Sequence, residues 1–265
     1  MPHKEIFRDK IGQDGAVRQL KKLYGSTQDV ISSQTERYIE LVSNFDRAFP
    51  ENQKNPESPE SGPLSIFSTP GRSEVGGNHT DHNAGRVLAA AIDLDVIAAV
   101  SKNGSNEIVI ESEGFPKISV NLDDLSIIES EKNTSAALVR GVCARMTELG
   151  YEIGEFDAAV KSSVPNGSGL SSSAAFEVLI VTILDHLYNG NVIDPLSRAQ
   201  IAQYSENVYF GKPCGLMDQT TCSAGGFVTI DFRDSDDPRV KKIDYDRQHR
   251  RKPRRPHRGL CGCQK

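Results

Sequence analysis

Apolar side chains recur every three or four residues in several stretches of the chain, which is the spacing of amphipathic helices. The predicted helices cover residues 14–25, 35–49, 134–149 and 171–188, and a last one runs from Asp194-Pro195 to about Gly211. The stretch 171–188 is apolar nearly all round, which is typical of a helix at the centre of a core.

Shorter runs rich in Val, Ile and Ala predict strands between these helices. The predicted strands cover residues 64–68, 87–101, 108–112, 118–120, 156–161 and 227–232. Residues 50–63 are polar and rich in proline, which predicts a linker or an exposed loop. Most strands precede most helices, so the pattern favours an α+β fold over a regularly alternating parallel sheet.

Charge divides the 265 residues into two unlike parts. The formal net charge is −5, yet residues 247–265 hold eight Lys and Arg and no Asp or Glu, a charge of +8. The first 246 residues keep 23 basic and 36 acidic groups, a charge of −13. An acidic body argues against nucleic-acid binding, and the basic tail needs a separate explanation.

Other features of composition narrow the setting of the protein. No apolar run is long enough to span a bilayer, and no signal segment opens the chain, so we expect neither membrane association nor secretion. Five scattered cysteines fit a reducing compartment better than a disulfide framework, which predicts a cytoplasmic protein. The sequence does not determine the oligomeric state, and we expect a monomer.

The sharpest local signal is Val-Pro-Asn-Gly-Ser-Gly-Leu-Ser-Ser-Ser-Ala-Ala at residues 164–175. A strand leads into a Gly/Ser loop and then into an apolar helix, so backbone amides and the helix dipole can meet an anion such as a nucleotide phosphate. The segment is not a Walker A loop, because no Lys-Ser/Thr follows the glycines. A flexible turn with serine caps is the alternative interpretation.

The second signal is a polar segment at residues 68–85. It places six polar or charged side chains within eleven residues: Arg72, Glu74, Asn78, His79, Asp81 and His82. Asp and Asn can bond adjacent hydroxyls, as sugar recognition requires, and Arg72 can contact a phosphate. A metal site at His79, Asp81 and His82 and a solvated polar loop are the two alternatives.

The third signal is Pro-Cys-Gly-Leu-Met-Asp-Gln at residues 213–219. Asp218 lies in an otherwise apolar turn, where desolvation would shift the pKa of its carboxyl and make it a candidate base. A cap or turn former is the simpler role for such an Asp. Cys214 has no nearby His to activate it and is interpreted as a structural thiol.

In this order, the three segments resemble the motifs of the galactokinases in the GHMP sugar and metabolite kinase family. Gly71–His82 is similar to the first motif, Gly-Arg-x-Asn-x-x-Gly-Glu-His-Thr-Asp-Tyr. Pro165–Ala174 matches the second motif, Pro-x-Gly-x-Gly-Leu-Ser-Ser-Ser-Ala, in full, and Pro213–Gln219 matches the third. The resemblance extends from about residue 60 to about residue 245.

This resemblance implies a GHMP kinase N-terminal domain, with a ribosomal protein S5 domain 2-like fold, at residues 61–246. Residues 1–60 would then be a helical extension and linker, and residues 247–265 a basic tail foreign to the family. The implied reaction is ATP-dependent phosphorylation of galactose at its anomeric hydroxyl, with Mg²⁺ as the cofactor. Galactose and ATP are the implied partners, with no nucleic acid or membrane.

The resemblance also implies residue roles. Asp218 matches the catalytic Asp, which orients or deprotonates the sugar hydroxyl, and Arg72 matches the Arg that keeps it ionised and stabilises the transferring phosphoryl group. The implied sugar contacts are Asn78, His79, Thr80, Asp81 and Gly215. The implied ATP contacts are Gly167, Ser168, Gly169, Leu170, Ser171, Ser172, Ser173 and, more loosely aligned, Ser119. The implied Mg²⁺ ligands are Ser173 and Glu206.

Two departures from the family pattern stand out. Asn78 replaces the usual Glu, Glu74 the usual Asn and His82 the usual Tyr, so either the sugar preference differs or these are variants of a bacterial subfamily. The family's C-terminal half, with a further glycine-rich motif, has no counterpart after Tyr245. A reading frame lost near residue 246 would explain this, and resequencing of the coding DNA tests it.

Three functional hypotheses follow from these motifs. The chain is a galactokinase, a galactose- and ATP-binding relative that does not catalyse transfer, or an inactive fragment without the C-terminal domain. Within the enzyme class, N-acetylgalactosamine and mevalonate are the rival substrates, and the Pro-Cys-Gly-Leu-Met-Asp segment favours a galactokinase over a mevalonate kinase.

Overall fold

The computed structural model describes residues 3–53, 63–77, 83–234 and 237–244. The α-helices are α1 (His3–Ile11), α2 (Asp14–Tyr24), α3 (Gln28–Ala48), α4 (Ser135–Glu148), α5 (Ser172–Tyr188), α6 (Pro195–Tyr204) and α7 (Met217–Ala224). The strands are β1 (Ser65–Gly76), β2 (Arg86–Ser101), β3 (Glu107–Ser112), β4 (Ile118–Asn121), β5 (Phe156–Ser162), β6 (Phe227–Asp231) and β7 (Arg239–Ile243). Short 3₁₀ turns cover Pro50–Gln53 and Glu129–Glu131, and a π-helical segment, Ser205–Phe210, continues α6.

The strand β2 is the central strand of a single mixed sheet. One edge of β2 pairs with β1. The other edge pairs with β6 near the start of β2 and with β5 near the end of β2. The sheet continues through β3 to β4 on one side and to β7 on the other. All of these pairs are antiparallel except β3 with β5. The α+β expectation is therefore confirmed as a mixed α/β domain.

Alternation along the strands gives the sheet two apolar faces, which different helices cover. One face packs against α4 and α5, and the largest core cluster forms there. The opposite face contributes Ile97, Ala99 and Ala159 to a second cluster, which the three N-terminal helices complete. Helices α6 and α7 cover the part of the sheet formed by β6 and the start of β2.

The predicted strand at residues 64–68 was too short. The strand β1 continues to Gly76, so the Gly71-Arg72 pair lies within a strand rather than in a loop after it. Pro70 lacks an N–H group, but β1 is an edge strand, and the register shifts between Pro70 and Arg72. Both features accommodate a proline in a sheet.

The N-terminal helices are joined to the sheet by a buried polar group, which we call the Asp95 cluster: Tyr24, Arg37, Ser68, Asp95 and Ser163. Tyr24 and Ser68 donate to Asp95 Oδ2 at 2.5 Å each, and Arg37 Nη1 donates to Oδ1 at 2.6 Å. Ser163 Oγ donates to the Asp95 carbonyl at 3.0 Å. The cluster thus ties the first part of β1 and the residue that follows β5 to β2, close to where the first two sequence motifs begin.

Several predicted elements match the described ones closely, and others are longer in the structure than the sequence predicted. Helix α3 begins at Gln28, seven residues before the predicted start, because polar residues at its beginning dilute the apolar pattern. Helix α1 was not predicted from the sequence. Among the described residues, no helix combines the length and apolar character needed to cross a bilayer.

Candidate active site

The loop between β5 and α5 has the backbone of an anion-binding turn. Gly167 and Gly169 adopt left-handed conformations, with φ of 67° and 74°. Ser171 has a φ of 62°, a conformation that non-glycine residues adopt rarely and that is often found at functional sites. Ser172 and Ser173 then open the first turn of α5, where backbone N–H groups lack helical partners.

Arg72 and Asp218 form an ion pair although 146 residues separate them in sequence. Arg72 Nε donates to Asp218 Oδ1 at 2.7 Å, and Arg72 Nη2 donates to Oδ2 at 2.6 Å. This fork-to-carboxylate geometry gives two parallel charge-assisted bonds. Arg72 is 8% exposed in its side chain, whereas Asp218 is 31% exposed and so presents one side of its carboxylate to an open space.

The Gly/Ser loop completes this pair. Ser171 Oγ donates to Asp218 Oδ2, and Arg72 Nη1 donates to the Gly169 carbonyl at 2.7 Å. The Arg72 amide also donates to the Leu170 carbonyl at 3.1 Å. The three sequence motifs therefore meet at one point, and Asp218 lies in the first turn of α7 as a charge-paired carboxylate rather than in a desolvated turn.

Gly71 allows this close approach. A Cβ atom at this position would lie 2.8 Å from the Leu170 carbonyl oxygen and 3.2 Å from the Val164 side chain. A backbone oxygen cannot move aside as a flexible side-chain end can. The glycine before Arg72 is thus required where β1 touches the loop.

A second polar group surrounds Glu206 on the opposite side of α7. Ser173 Oγ donates to Glu206 Oε1 at 3.4 Å, Lys212 Nζ lies 3.4 Å from the same oxygen, and Gln219 Nε2 donates to Oε2 at 2.9 Å. Glu206 is only 3% exposed. The structure thus brings together Ser173 and Glu206, the two side chains that the resemblance assigns to Mg²⁺.

Glu206 lies on the π-helical segment, a form of helix that is common at functional sites. Gly141 of α4 packs directly against this segment, since a Cβ there would lie 2.8 Å from Ser205 Cβ and 2.9 Å from Tyr209 Cβ. The absence of a side chain at Gly141 therefore lets the segment sit deep enough to bury Glu206.

Glu177 is a buried carboxyl that the sequence did not single out. It is fully buried on α5, and its Oε1 atom has no hydrogen-bond partner among the described residues. Burial and the neighbouring Glu206 carboxylate raise the pKa of Glu177 well above its usual 4.5. The side chain is therefore protonated in the folded protein over a pH range in which the unfolded chain has lost that proton.

This proton gives a testable pH dependence. Native Glu177 retains a proton that the unfolded chain releases above about pH 4.5, so the free energy of unfolding falls as the pH rises through that window. We expect Glu177→Gln, in EDTA at pH 8, to be more stable than the parent by about 1–3 kcal/mol. The difference should vanish near pH 4, where both states hold the proton.

Thermal unfolding from pH 4 to pH 8 measures this effect. The control is Glu152→Gln, which makes the same change at an exposed carboxyl and should leave the pH profile unaltered. A Glu177→Gln variant as pH-sensitive as the parent would contradict the assignment of a proton to Glu177.

Cys214 is a thiol rather than a thiolate. Burial and the nearby Glu206 carboxylate raise its pKa, which disfavours nucleophilic chemistry, as the sequence predicted. Its backbone is held by Asn207, whose Oδ1 accepts from the Cys214 amide at 2.7 Å. Gly215 follows in the segment just before α7, so its backbone lies next to the turn that carries Asp218.

Two sets of predicted contacts are not part of the site as the structure describes it. Ser119 alternates with Ile118 and Val120, which face the core, so its side chain projects from the other face and donates to Glu107 Oε2 at 2.9 Å. The assignment of Ser119 to the nucleotide stays a prediction, and its hydroxyl is paired with Glu107. The predicted sugar contacts Asn78, His79, Thr80 and Asp81 lie outside the described residues, as does the basic tail 247–265.

An apolar cavity adjoins the Gly/Ser loop. It measures about 260 Å³ and is lined by both polar loop residues, such as Asn166 and Ser173, and apolar side chains, such as Phe115, Ile118 and Phe176. The cavity therefore offers apolar surface immediately beside the amides and hydroxyls of the anion-binding turn. The sequence did not predict it, because its walls come from β2 to β5, α4 and α5.

Comparisons with known proteins agree with this geometry. A family model described as "GHMP kinases N terminal domain" matches residues 137–226, and one described as "Galactokinase galactose-binding signature" matches residues 57–102. Among curated relatives, the galactokinase of Clostridium tetani is 33% identical over 62% of this chain and 42% of its own length. That of Pyrococcus furiosus is 35% identical over 67% of this chain and 49% of its own.

Solved structures extend the comparison to the fold. The crystal structure of Lactococcus lactis galactokinase complexed with galactose is 26% identical, with a TM-score of 0.65, over 77% of this chain and 52% of that one. Methanococcus jannaschii mevalonate kinase shares the fold, with a TM-score of 0.56 at 19% identity, over 69% of this chain.

The comparisons thus span the region that contains all three motifs. The chain covers about half the length of the curated relatives it matches. Each family model contains one member of the Arg72–Asp218 pair: one model covers Arg72, and the other covers the Gly/Ser loop and Asp218. The chain therefore contains a match to the GHMP kinase N-terminal domain, and the curated relatives that it resembles are galactokinases.

Proposed function

We propose that the protein transfers the γ-phosphoryl group of ATP to the anomeric hydroxyl of galactose. The observation that carries this proposal is the Arg72–Asp218 pair, which touches the Gly/Ser loop and leaves one side of the carboxylate open. Phosphoryl transfer needs a positioned hydroxyl, a phosphate cradle and nearby positive charge more than it needs covalent chemistry. The three motifs supply these together.

Asp218 is proposed to accept a hydrogen bond, and then the proton, from the sugar hydroxyl. Both of its oxygens already accept hydrogen bonds, from Arg72 and Ser171, which hold the carboxylate in place. Arg72 keeps the carboxylate oriented, and its guanidinium lies beside the loop where the transferring phosphoryl group would be negatively charged. Positioning and electrostatic stabilisation of this kind are the main sources of rate acceleration in such reactions.

ATP is proposed to bind with its phosphates on residues 167–173 and its base in the adjoining cavity. The left-handed Gly167 and Gly169 open the loop backbone to an anion, and the first turn of α5 adds unpaired N–H groups. The cavity beside Ser173 is apolar enough for a planar base and carries Asn166 at its rim. Consumption of ATP also fits the cytoplasmic location expected from composition.

Ser173 and Glu206 fit a divalent cation. A hydroxyl and a carboxylate lie 3.4 Å apart at the loop, and Lys212, the one basic side chain within ion-pair distance of Glu206 among the described residues, is 63% exposed. The buried carboxylate is therefore only weakly neutralised by the protein. When bound there with the phosphates and waters, Mg²⁺ supplies charge neutralisation of the β- and γ-phosphate oxygens.

Galactose itself is proposed from the family signature and the third motif. Asn78 stands where the family motif has Glu, so this sugar contact would be neutral. Neither Asn78 nor the third motif selects between sugars that differ in the 2-substituent, and N-acetylgalactosamine is therefore the closest rival substrate. A protein that binds galactose and ATP without turnover is the rival outside the enzyme class.

A coupled assay of ADP release tests the proposal with galactose, N-acetylgalactosamine, glucose and mevalonate as substrates. Galactose is expected to give the highest kcat/KM. Binding of galactose and ATP without ADP release would favour a sensor, and turnover restricted to another substrate would reject galactose. A protein that binds neither ligand, while unfolding cooperatively, would reject both functions.

A further inference from the structure

Gln219 makes the shortest contact to Glu206 of any described side chain. It is fully buried in the first turn of α7, and its amide nitrogen donates to Glu206 Oε2 at 2.9 Å. The same nitrogen lies 3.4 Å from Glu177 Oε2 and 3.4 Å from Cys214 Sγ. A side-chain amide carries two N–H donors, so one Gln can bridge two carboxyl groups.

This bridge determines which oxygen of Glu206 remains available. With Oε2 held by Gln219, it is Oε1 that faces Ser173 and Lys212, each at 3.4 Å. These two contacts are long for hydrogen bonds, whereas the Gln219 contact has an ordinary length. The orientation of the Glu206 carboxylate therefore depends chiefly on the Gln219 amide.

Gln219 also joins the two halves of the site through one helical turn. Successive residues of a helix project about 100° apart, so neighbours in sequence face different surroundings. Asp218 faces Arg72 and Ser171, and Gln219, the next residue, faces Glu206. Any shift of α7 thus moves the carboxylate for the sugar and the clamp on Glu206 together.

A neutral donor suits this position. Glu177 and Glu206 are both buried and both within reach of the Gln219 nitrogen, so an acidic side chain there would add a third carboxyl. An apolar side chain would leave two carboxyl groups facing each other with no bridging donor. Each of these changes removes the donor that holds Glu206 Oε2 in place.

We propose that Gln219 is a positioning residue for the divalent cation: its amide holds Glu206 so that Oε1 points towards Ser173. The inference rests on the proposed function, because it presupposes that Ser173 and Glu206 bind a cation with ATP. Outer-shell partners of this kind typically change metal affinity 10–100-fold when they are removed.

Manganese binding in the presence of ATP tests the inference without measuring turnover. Free Mn²⁺ is followed by its electron paramagnetic resonance signal, in the parent and in Gln219→Met, which removes the amide at similar volume. The Mn²⁺ dissociation constant is expected to rise about 10–100-fold. Gln203→Met is the matched control: within the described part of the chain, the Gln203 side chain donates only to the Cys214 carbonyl, so the change should leave the constant unaltered.

The outcomes separate the inference from the function beneath it. If the parent binds no Mn²⁺ with ATP, the proposed function fails. If the parent binds and Gln219→Met binds within twofold, the positioning role is overturned. Thermal unfolding in EDTA accompanies each titration. If Gln219→Met loses the cooperative transition, Gln219→Asn, which keeps an amide but cannot reach as far, replaces it in the test and is expected to bind Mn²⁺ about tenfold more weakly than the parent. An Asn variant that folds cooperatively and binds Mn²⁺ as tightly as the parent would also overturn it.

Discussion

Asp218→Asn is expected to lower kcat for sugar phosphorylation by about 10³-fold, in the range found when a general base is removed. The amide cannot accept the hydroxyl proton. It also places an N–H₂ group opposite Arg72, whose Nε and Nη2 both donate to the native carboxylate. Arg72 would then keep its charge with at most one of its two bonds to residue 218.

Steady-state kinetics of the active protein, together with calorimetric binding of galactose and ATP, measure this effect. Binding of both ligands should persist, because Asn preserves the shape of Asp. The control is Asp194→Asn, which changes an exposed helix cap far along the sequence and retains a capping side chain. Turnover of Asp218→Asn within tenfold of the parent would remove Asp218 from the catalytic role. Asp218→Ala is the poorer choice, since it strands the buried Arg72 and confounds catalysis with folding.

Asp95→Ala is expected to have the largest effect on stability. It removes the acceptor for Tyr24, Ser68 and Arg37 at once, and leaves a guanidinium that is 12% exposed without its carboxylate. Breaking a buried ion pair in this way should lower the free energy of unfolding by about 3–5 kcal/mol, and the melting temperature by roughly 10 °C.

Chemical denaturation of the chain measures this loss directly. Asp93→Ala, two residues away on the same strand but exposed, is the matched control and should change stability by less than about 0.5 kcal/mol. A loss in Asp95→Ala no larger than in the control would mean that the Asp95 cluster contributes little to holding the N-terminal helices.

The sequence predicted the core elements well where the apolar pattern was strong. The bounds of α4, α5 and β2 to β5 differ from the predictions by at most one residue at either end, because each element carries a run of buried apolar side chains that makes its pattern clear. The strand β1 was underestimated, since Pro70 and the polar residues after it suggested a loop. An edge strand tolerates both, and the edge position is a property of the tertiary fold.

The residues of the candidate site were likewise predicted from the sequence only in part. The motifs predicted that Arg72, Asp218 and the Gly/Ser loop belong together, and the structure brings them into contact. The role of Ser119 stays a prediction, because the face on which a strand residue lies depends on register, which a short strand specifies weakly. Glu177 carried no local signal, and Gln219 was known only as the last residue of the third motif, because their contacts depend on the π-helical segment that presents Glu206.

Helices α1, α2 and α3 cover the second face of the sheet, so they form one packed unit with it. The family match begins at residue 57, yet Ile97, Ala99 and Ala159 lie beneath helices that end before it. A segment cut at the family boundary would carry a bare apolar sheet face, and surfaces of that kind associate with other chains. The smallest separable unit of this protein is therefore expected to include its N-terminal helices, because they cover the apolar sheet face opposite α4 and α5.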